Sequence, residues 1–328
     1  MKTKIPIDPG MDPFQDYAVS LCNSFTNNTT HSFEFDKKWS LLACEMVLKE
    51  KSLDSSVNLR VLKFLLELVE KEKLTANNWI FVIDCARKGI KRLGSCDLIG
   101  QLINIISENI KVLAEDKDLV VTVHVLKLLL TCKDHHFEFN DKLRDYLNAF
   151  YSSQNHHFNV PLLDFDEFHF VDCAKSAQYK KQKCLRLLLL LDPLKGFSAF
   201  TDATDDYWFN LFSISDSELI SFMKRLLKAD EKRFLKFYNR VITNDLLSVD
   251  FFIEQLLTDS VELLELLLDT LELQLDTLEL KVSKKKKIDK DFRNFHTLLL
   301  LKLEMSSENF PFNCKILLKK LETFIGKM

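Results

Sequence analysis

Apolar residues recur at intervals of three and four along nearly the whole chain, and this periodicity constrains the fold more than any other feature. Between Val57 and Lys73, for example, Val61, Leu62, Leu65, Leu66 and Val69 fall at i, i+1, i+4, i+5 and i+8. At 3.6 residues per turn these positions share one face of a helix. Strand-like alternation of apolar and polar residues appears over no useful length. Glycine and proline, six of each in 328 residues, are too scarce for many hairpins, because Gly supplies the φ > 0 backbone that tight turns need. The pattern therefore predicts helices joined by short polar loops.

The expected helices cover 13–25, a stretch opening at Asp36 with Trp39, Leu41, Leu42 and Met46, then 57–73, 75–93, 97–113, 116–131 and 140–151. Gly94 is placed as a C-cap. After a polar, aromatic-rich interval at 152–166, helix resumes near 168 and runs to 191, where Asp192-Pro193 is expected to stop it. Further helices are predicted over 205–212, 215–227, 230–242, 248–257, 260–280, 291–304 and 314–325. Such a succession gives an all-α fold: stacked antiparallel helices, as a HEAT/armadillo-like solenoid or an irregular helical bundle. No strict repeat of about 40 residues aligns, so the stacking rests on helix succession and not on self-similarity. Four stretches are expected: 1–35 with one short helix, a helical repeat region at 36–192, a second helical region at 193–286, and a C-terminal helical module at 287–328.

The net charge of −3 sets up no field that would recruit nucleic acid or anionic lipid. Lys2 and Lys4 lie in an N-terminus without the apolar core of a secretory signal, and the longest aliphatic run, Leu187 to Leu191, is far short of a bilayer span. None of the eight cysteines forms a C-x-x-C pair. These features point to a reducing, intracellular setting, in which the sequons at Asn27 and Asn28 are surface residues.

No catalytic, cofactor or metal site is expected. Structural zinc calls for close pairs of N/S ligands. Only His169 and Cys173 have such spacing, with Cys184, His135-His136 and His156-His157 as distant company. There is no G-x-S-x-G elbow, P-loop or G-x-G-x-x-G. The acid pairs Asp164/Asp166 and Asp205/Asp206 fall in loops or helix starts, where carboxylates meet exposed N–H groups.

The most patterned segment lies further on. Leu264, Leu268, Leu271, Leu275 and Leu278 alternate in steps of four and three, and Glu262, Glu265, Asp269, Glu272, Asp276 and Glu279 do the same on an adjoining face. Like charges so spaced cost a few tenths of a kcal/mol each, roughly, so the acidic face meets either solvent or a basic partner. Lys284, Lys285, Lys286 and Lys287 follow, in the form of a nuclear import signal or of a counterweight to the acidic helix. Leucine triplets such as Leu62-Leu65-Leu66, Leu126-Leu129-Leu130 and Leu185-Leu188-Leu189 are read as buried stripes before docking motifs.

The C-terminus carries a resemblance. The leucine helix Leu298 to Glu304, the turn Phe310-Pro311-Phe312-Asn313 and a second leucine helix with Ile316, Leu317, Leu318 and Leu321 resemble the short C-terminal module of the Lines family. The local physics agrees: Phe310 can staple, Pro311 enforces extension, Asn313 is a good N-cap and Gly326 is expected to end the helix. Upstream, Leu211-Phe212 with Asp216 to Ile220, Phe251 to Glu254 and Ser260 to Glu265 are similar to family segments in the same order. The resemblance covers about residues 185–328; the family's long polar insertion is here only the lysine-rich stretch. It implies a non-enzymatic regulator of transcription in segment-polarity and Wnt-linked development. Such a protein would move between nucleus and cytoplasm and contact proteins such as odd-skipped-type zinc-finger factors. Neither nucleic acid, membrane nor a small-molecule substrate is an expected partner. A helical-repeat subunit of a larger assembly, in DNA repair or trafficking, is the alternative.

Overall fold

The computed structural model describes residues 13–27, 37–71, 73–114, 119–152, 177–200, 204–212, 216–243, 269–270, 290–305 and 315–327. Among these residues every regular element is an α-helix and none is a strand. The chain forms two compact units, Met1–Leu191 and Asp192–Met328.

The first unit holds α1 (Pro13–Asn27), α2 (Lys37–Lys49), α3 (Ser55–Lys71), α4 (Ala76–Leu93), α5 (Asp97–Ala114), α6 (Val120–Asp134), α7 (Asp141–Ser152) and α8 (Ala177–Leu191). Helices α2, α4, α6 and α8 each pack on the next of that set. Helix α3 packs on α5 and α5 on α7, while sequence neighbours from α2 to α6 pack across the two rows. Contact with the second neighbour in one row and the first neighbour in the other is what stacked antiparallel hairpins produce. Direction agrees: Glu45 pairs with Lys88, and Arg92 donates to the carbonyls of Leu48 at 3.3 Å and Lys49 at 2.9 Å. These contacts advance together, so α2 and α4 run parallel. Arg92 also meets the C-terminal carbonyls of α2, where a cation satisfies orphan acceptors and complements the dipole.

The core follows from the leucine stripes. Val61, Leu62 and Leu65 are fully buried, as are Leu126, Leu129 and Leu188, and each such side chain contributes about 1.5–3 kcal/mol on removal from water. The leucine triplets are therefore core, with Leu130 half-buried at its margin. On α8, Leu185 and Leu187 to Leu191 are all buried, so the C-terminal half of that helix is enclosed. Gly94 takes φ 66° and its N–H bonds to the Ile90 carbonyl at 2.9 Å, closing α4 in a conformation that side chains with a Cβ resist.

The second unit holds α9 (Pro193–Ala199), α10 (Asp205–Phe212), α11 (Asp216–Ala229), α12 (Glu231–Thr243), α13 (Lys290–Met305) and α14 (Lys315–Lys327). Here α11 packs on α9, α10 and α12, α12 on α13, and α13 on α14.

One expectation is met and extended, and two need correction. Asp192-Pro193 ends α8 but also starts α9: the Asp192 carboxylate accepts from the Lys195 N–H at 3.1 Å, and Pro193 occupies the first turn, where its missing N–H costs nothing. Helix α6 begins at Val120 instead of 116, after Leu119 at φ 57°. Helix α14 runs through Gly326 to Lys327, so this glycine is helical and does not end the helix. The expected helix at 248–257 lies outside the described residues, as does that at 260–280 apart from residues 269 and 270, which are helical. No helix among the described residues is long and apolar enough to cross a membrane.

Candidate functional site: a basic, aromatic recess

Short capped helices concentrate aromatic rings at the start of the second unit. Thr204 caps α10, its hydroxyl accepting from the Tyr207 N–H at 3.2 Å. Asp230 is the single residue between α11 and α12. Its N–H bonds to the Leu226 carbonyl at 2.7 Å, and its carboxylate caps α12 by accepting from the Arg233 N–H at 3.0 Å. With so short a link, α11 and α12 must pack together. Phe222 on α11 stacks on Phe212 of α10 at 4.1 Å and meets Phe237 of α12 edge-on at 5.2 Å.

Above this core lies a recess of about 210 Å³. Its floor is Phe197 of α9, Trp208 and Phe209 of α10, and Phe237 of α12. Three cations of α12 complete the lining: Arg233, Lys236 and Arg240, which steps of three and four place on one helix face. The Arg233 guanidinium lies 4.1 Å from the centre of the Phe197 ring, and that of Arg240 lies 4.6 Å from the Phe209 ring. Each such contact is worth about 0.5–2 kcal/mol and holds a flexible side chain in place. Arg240 also pairs with Asp206 of α10, and Lys236, between the two arginines, is exposed. The recess is smaller than the roughly 300–1,000 Å³ of a drug-sized ligand site. It suits one bulky apolar group with negative charge around it.

Of the acidic face expected to meet either solvent or a basic partner, Asp269 is described: its carboxylate accepts from Lys320 Nζ of α14 at 2.7 Å. Asp269 is 56% exposed, so the pair adds only about 0–1 kcal/mol. Its basic counterpart thus comes from the same chain. Glu262, Glu265, Glu272, Asp276 and Glu279 lie outside the described residues, as do Lys284, Lys285, Lys286 and Lys287 and the turn Phe310, Pro311, Phe312 and Asn313. Of the C-terminal leucine stripe, Leu321 is buried with Phe324 and Leu318 is half-buried, while Leu317 lies within α14.

Cys184 is buried, and burial pushes its thiol up to about 12. His135 and His136 are exposed after α6, and His156, His157, His169 and Cys173 lie outside the described residues. No group of His, Cys, Asp and Glu placed to hold a metal ion occurs among the described residues.

The sequence reading passed over the recess. Its trace is Arg233-Phe234-Leu235-Lys236-Phe237-Tyr238-Asn239-Arg240, where basic and aromatic residues interleave at helical spacing. That string gives the cations but not the rings from α9 and α10 beneath them. Comparison with protein-family models, curated proteins and solved structures finds no match to this chain.

Proposed function

We propose that the chain is a non-catalytic protein-binding scaffold of the Lines type. On this reading it regulates transcription in Wnt-linked development, in nucleus and cytoplasm, through proteins such as odd-skipped-type zinc-finger factors. The observation that supports the scaffold reading is the recess: an aromatic floor of side-chain size, ringed by Arg233, Lys236 and Arg240. Interfaces draw their affinity from a few aromatic and arginine residues in such settings. The Lines part of the reading rests on the resemblance over residues 185–328. Calorimetry with the zinc-finger region of an odd-skipped-type factor tests both. Binding that Lys236→Glu weakens is expected. Absence of binding, together with proximity labelling that returns only membrane or secretory proteins, would defeat the reading.

One observation favours the alternative, a structural subunit of a larger assembly. Leu298, Leu301 and Met305, in steps of three and four on α13, are 45%, 50% and 85% exposed, and Ile316 on α14 is 61% exposed. An apolar stripe of this kind marks an interaction surface. An obligate subunit elutes from a native extract only at large mass, whereas a regulator also elutes alone.

A further inference from the structure

The shape and charge of the recess identify the chemistry of what it takes. We infer that it receives one bulky apolar side chain of a partner peptide, with carboxylates before and after that anchor in sequence engaging Arg233, Lys236 and Arg240. This rests on the scaffold reading and narrows it to a class of ligand.

Volume comes first. About 210 Å³ leaves room for a single large side chain, not for a nucleotide or cofactor, whose sites run to roughly 300–1,000 Å³. The floor decides the anchor's polarity, because Phe197, Trp208, Phe209 and Phe237 offer it no charged atom. The rim decides its surroundings: among the described residues three cations contribute to the lining and no acidic side chain does. The two guanidiniums lie over rings and are therefore already ordered, which reduces the entropy lost when they grip a carboxylate. Carboxylates suit them because a guanidinium presents paired N–H donors to two oxygens.

The ion pair beside the recess carries the argument further. Asp206 belongs to α10, is 69% exposed and meets Arg240. It offers Arg240 the very group that an incoming acidic peptide would bring, so an internal carboxylate competes with the ligand for this cation. Neutralising Asp206 should then strengthen binding, which an apolar contact alone would not do.

Single-stranded nucleic acid also seeks cations among aromatic rings, but it needs open ring faces for its bases. Trp208, Phe209 and Phe237 are 3%, 5% and 7% exposed, and Arg233 covers Phe197. The rings form a floor and not a stacking platform.

The test is fluorescence anisotropy with the full chain and a labelled nine-residue probe, one Phe with two Glu on each side and Gly-Ser ends. Saturable binding below millimolar concentration is expected, with affinity falling at least tenfold when the probe's Phe becomes Ala or its Glu residues become Gln. Lys236→Glu should reduce affinity at least tenfold with an unchanged circular dichroism spectrum, and Asp206→Asn should raise it about threefold. Raising salt from 50 to 300 mM should weaken binding as screening grows. Tighter binding of the Gln probe, of a Lys-flanked probe or of labelled oligo-dT, or indifference to Lys236→Glu, overturns the inference. So does the absence of any probe binding. Tighter binding of a Gln or Lys probe that still responds to Lys236→Glu overturns the inference and leaves the scaffold reading standing. The zinc-finger titration tests the scaffold reading without any of these probes.

Discussion

Tyr238 and His296 join α12 to α13, and removing either should cost more than removing both. The phenol oxygen lies 3.0 Å from His296 Nε2, and neither residue has any exposed surface. Burial raises the phenol's pKa well above its ordinary value, so the hydroxyl keeps its proton. Tyr238→Phe withdraws the hydroxyl that Nε2 faces in a place water does not reach, at a cost of about 1–3 kcal/mol. His296→Leu does the same to the hydroxyl and also gives up the ring contact with Phe324 at 4.9 Å. The double variant removes donor and acceptor together. It should be no worse than either single change, a coupling of about 1–3 kcal/mol in a double-mutant cycle. Trp208 reports on this unit, and replacing Trp39 and Trp79 by Phe makes its fluorescence the only tryptophan signal. In urea, a loss of 2 kcal/mol moves the midpoint by roughly 1 M. Additive single changes, or a Tyr238→Phe midpoint equal to the parent's, would refute the claim that the two groups satisfy one another.

Asp84 on α4 is pushed up by burial, but His124 at 3.1 Å, with Arg87 and Lys127, outweighs this and holds its carboxyl below the ordinary value. A depressed carboxylate stabilises the fold above its unfolded pKa and ceases to do so as pH falls through the folded one. Asp84→Asn should thus cost about 1–2 kcal/mol at pH 7, a gap that urea titrations at stepped pH should see begin to close only below about pH 4. Among the described cysteines, Cys22, Cys44, Cys85, Cys132 and Cys184 are buried with thiol pKa values raised by that burial, and Cys96 is half-buried. Peptide mass spectrometry after brief iodoacetamide treatment at pH 8 should find Cys96 alkylated and those five protected until the chain is unfolded. At Gly89 an added Cβ would sit 3.3 Å from Leu62 Cδ2 and 3.5 Å from Ile99 Cδ1. Gly89→Ala gains about 1 kcal/mol of helix propensity and loses a similar amount in packing. It should leave the thermal midpoint nearly unchanged, whereas Gly89→Val should lower it.

The helices were legible because each carries its own signal. Val61, Leu62, Leu65 and Leu66 point to one face of α3 whatever lies beside them, and the structure buries all four. The cap at Gly94 behaved in the same local way. Asp192-Pro193 was harder, since one dipeptide both forbids the continuation of α8 and supplies a cap and first-turn proline for α9. A stop and a start have the same letters there, and only the following residues separate them.

The recess depends on long-range placement, so no local pattern could disclose it. Arg233 and Arg240 look like the solvated side of an amphipathic helix until α9 and α10 bring Phe197 and Phe209 beneath them. Burial of the aromatic stems and exposure of the cationic ends then follow from one helix face, because the guanidinium keeps its N–H edges toward water while its plane covers a ring. The acidic stripe depends on long-range placement in the same way. At Asp269 a repeating carboxylate meets Lys320 of the same chain, so charge periodicity alone does not distinguish an internal partner from an external one. Among the described residues the recess is lined by three cations and by aromatic rings, and that pairing of ring floor and basic rim is what makes this site, more than the acidic stripe, the place to look for another polypeptide.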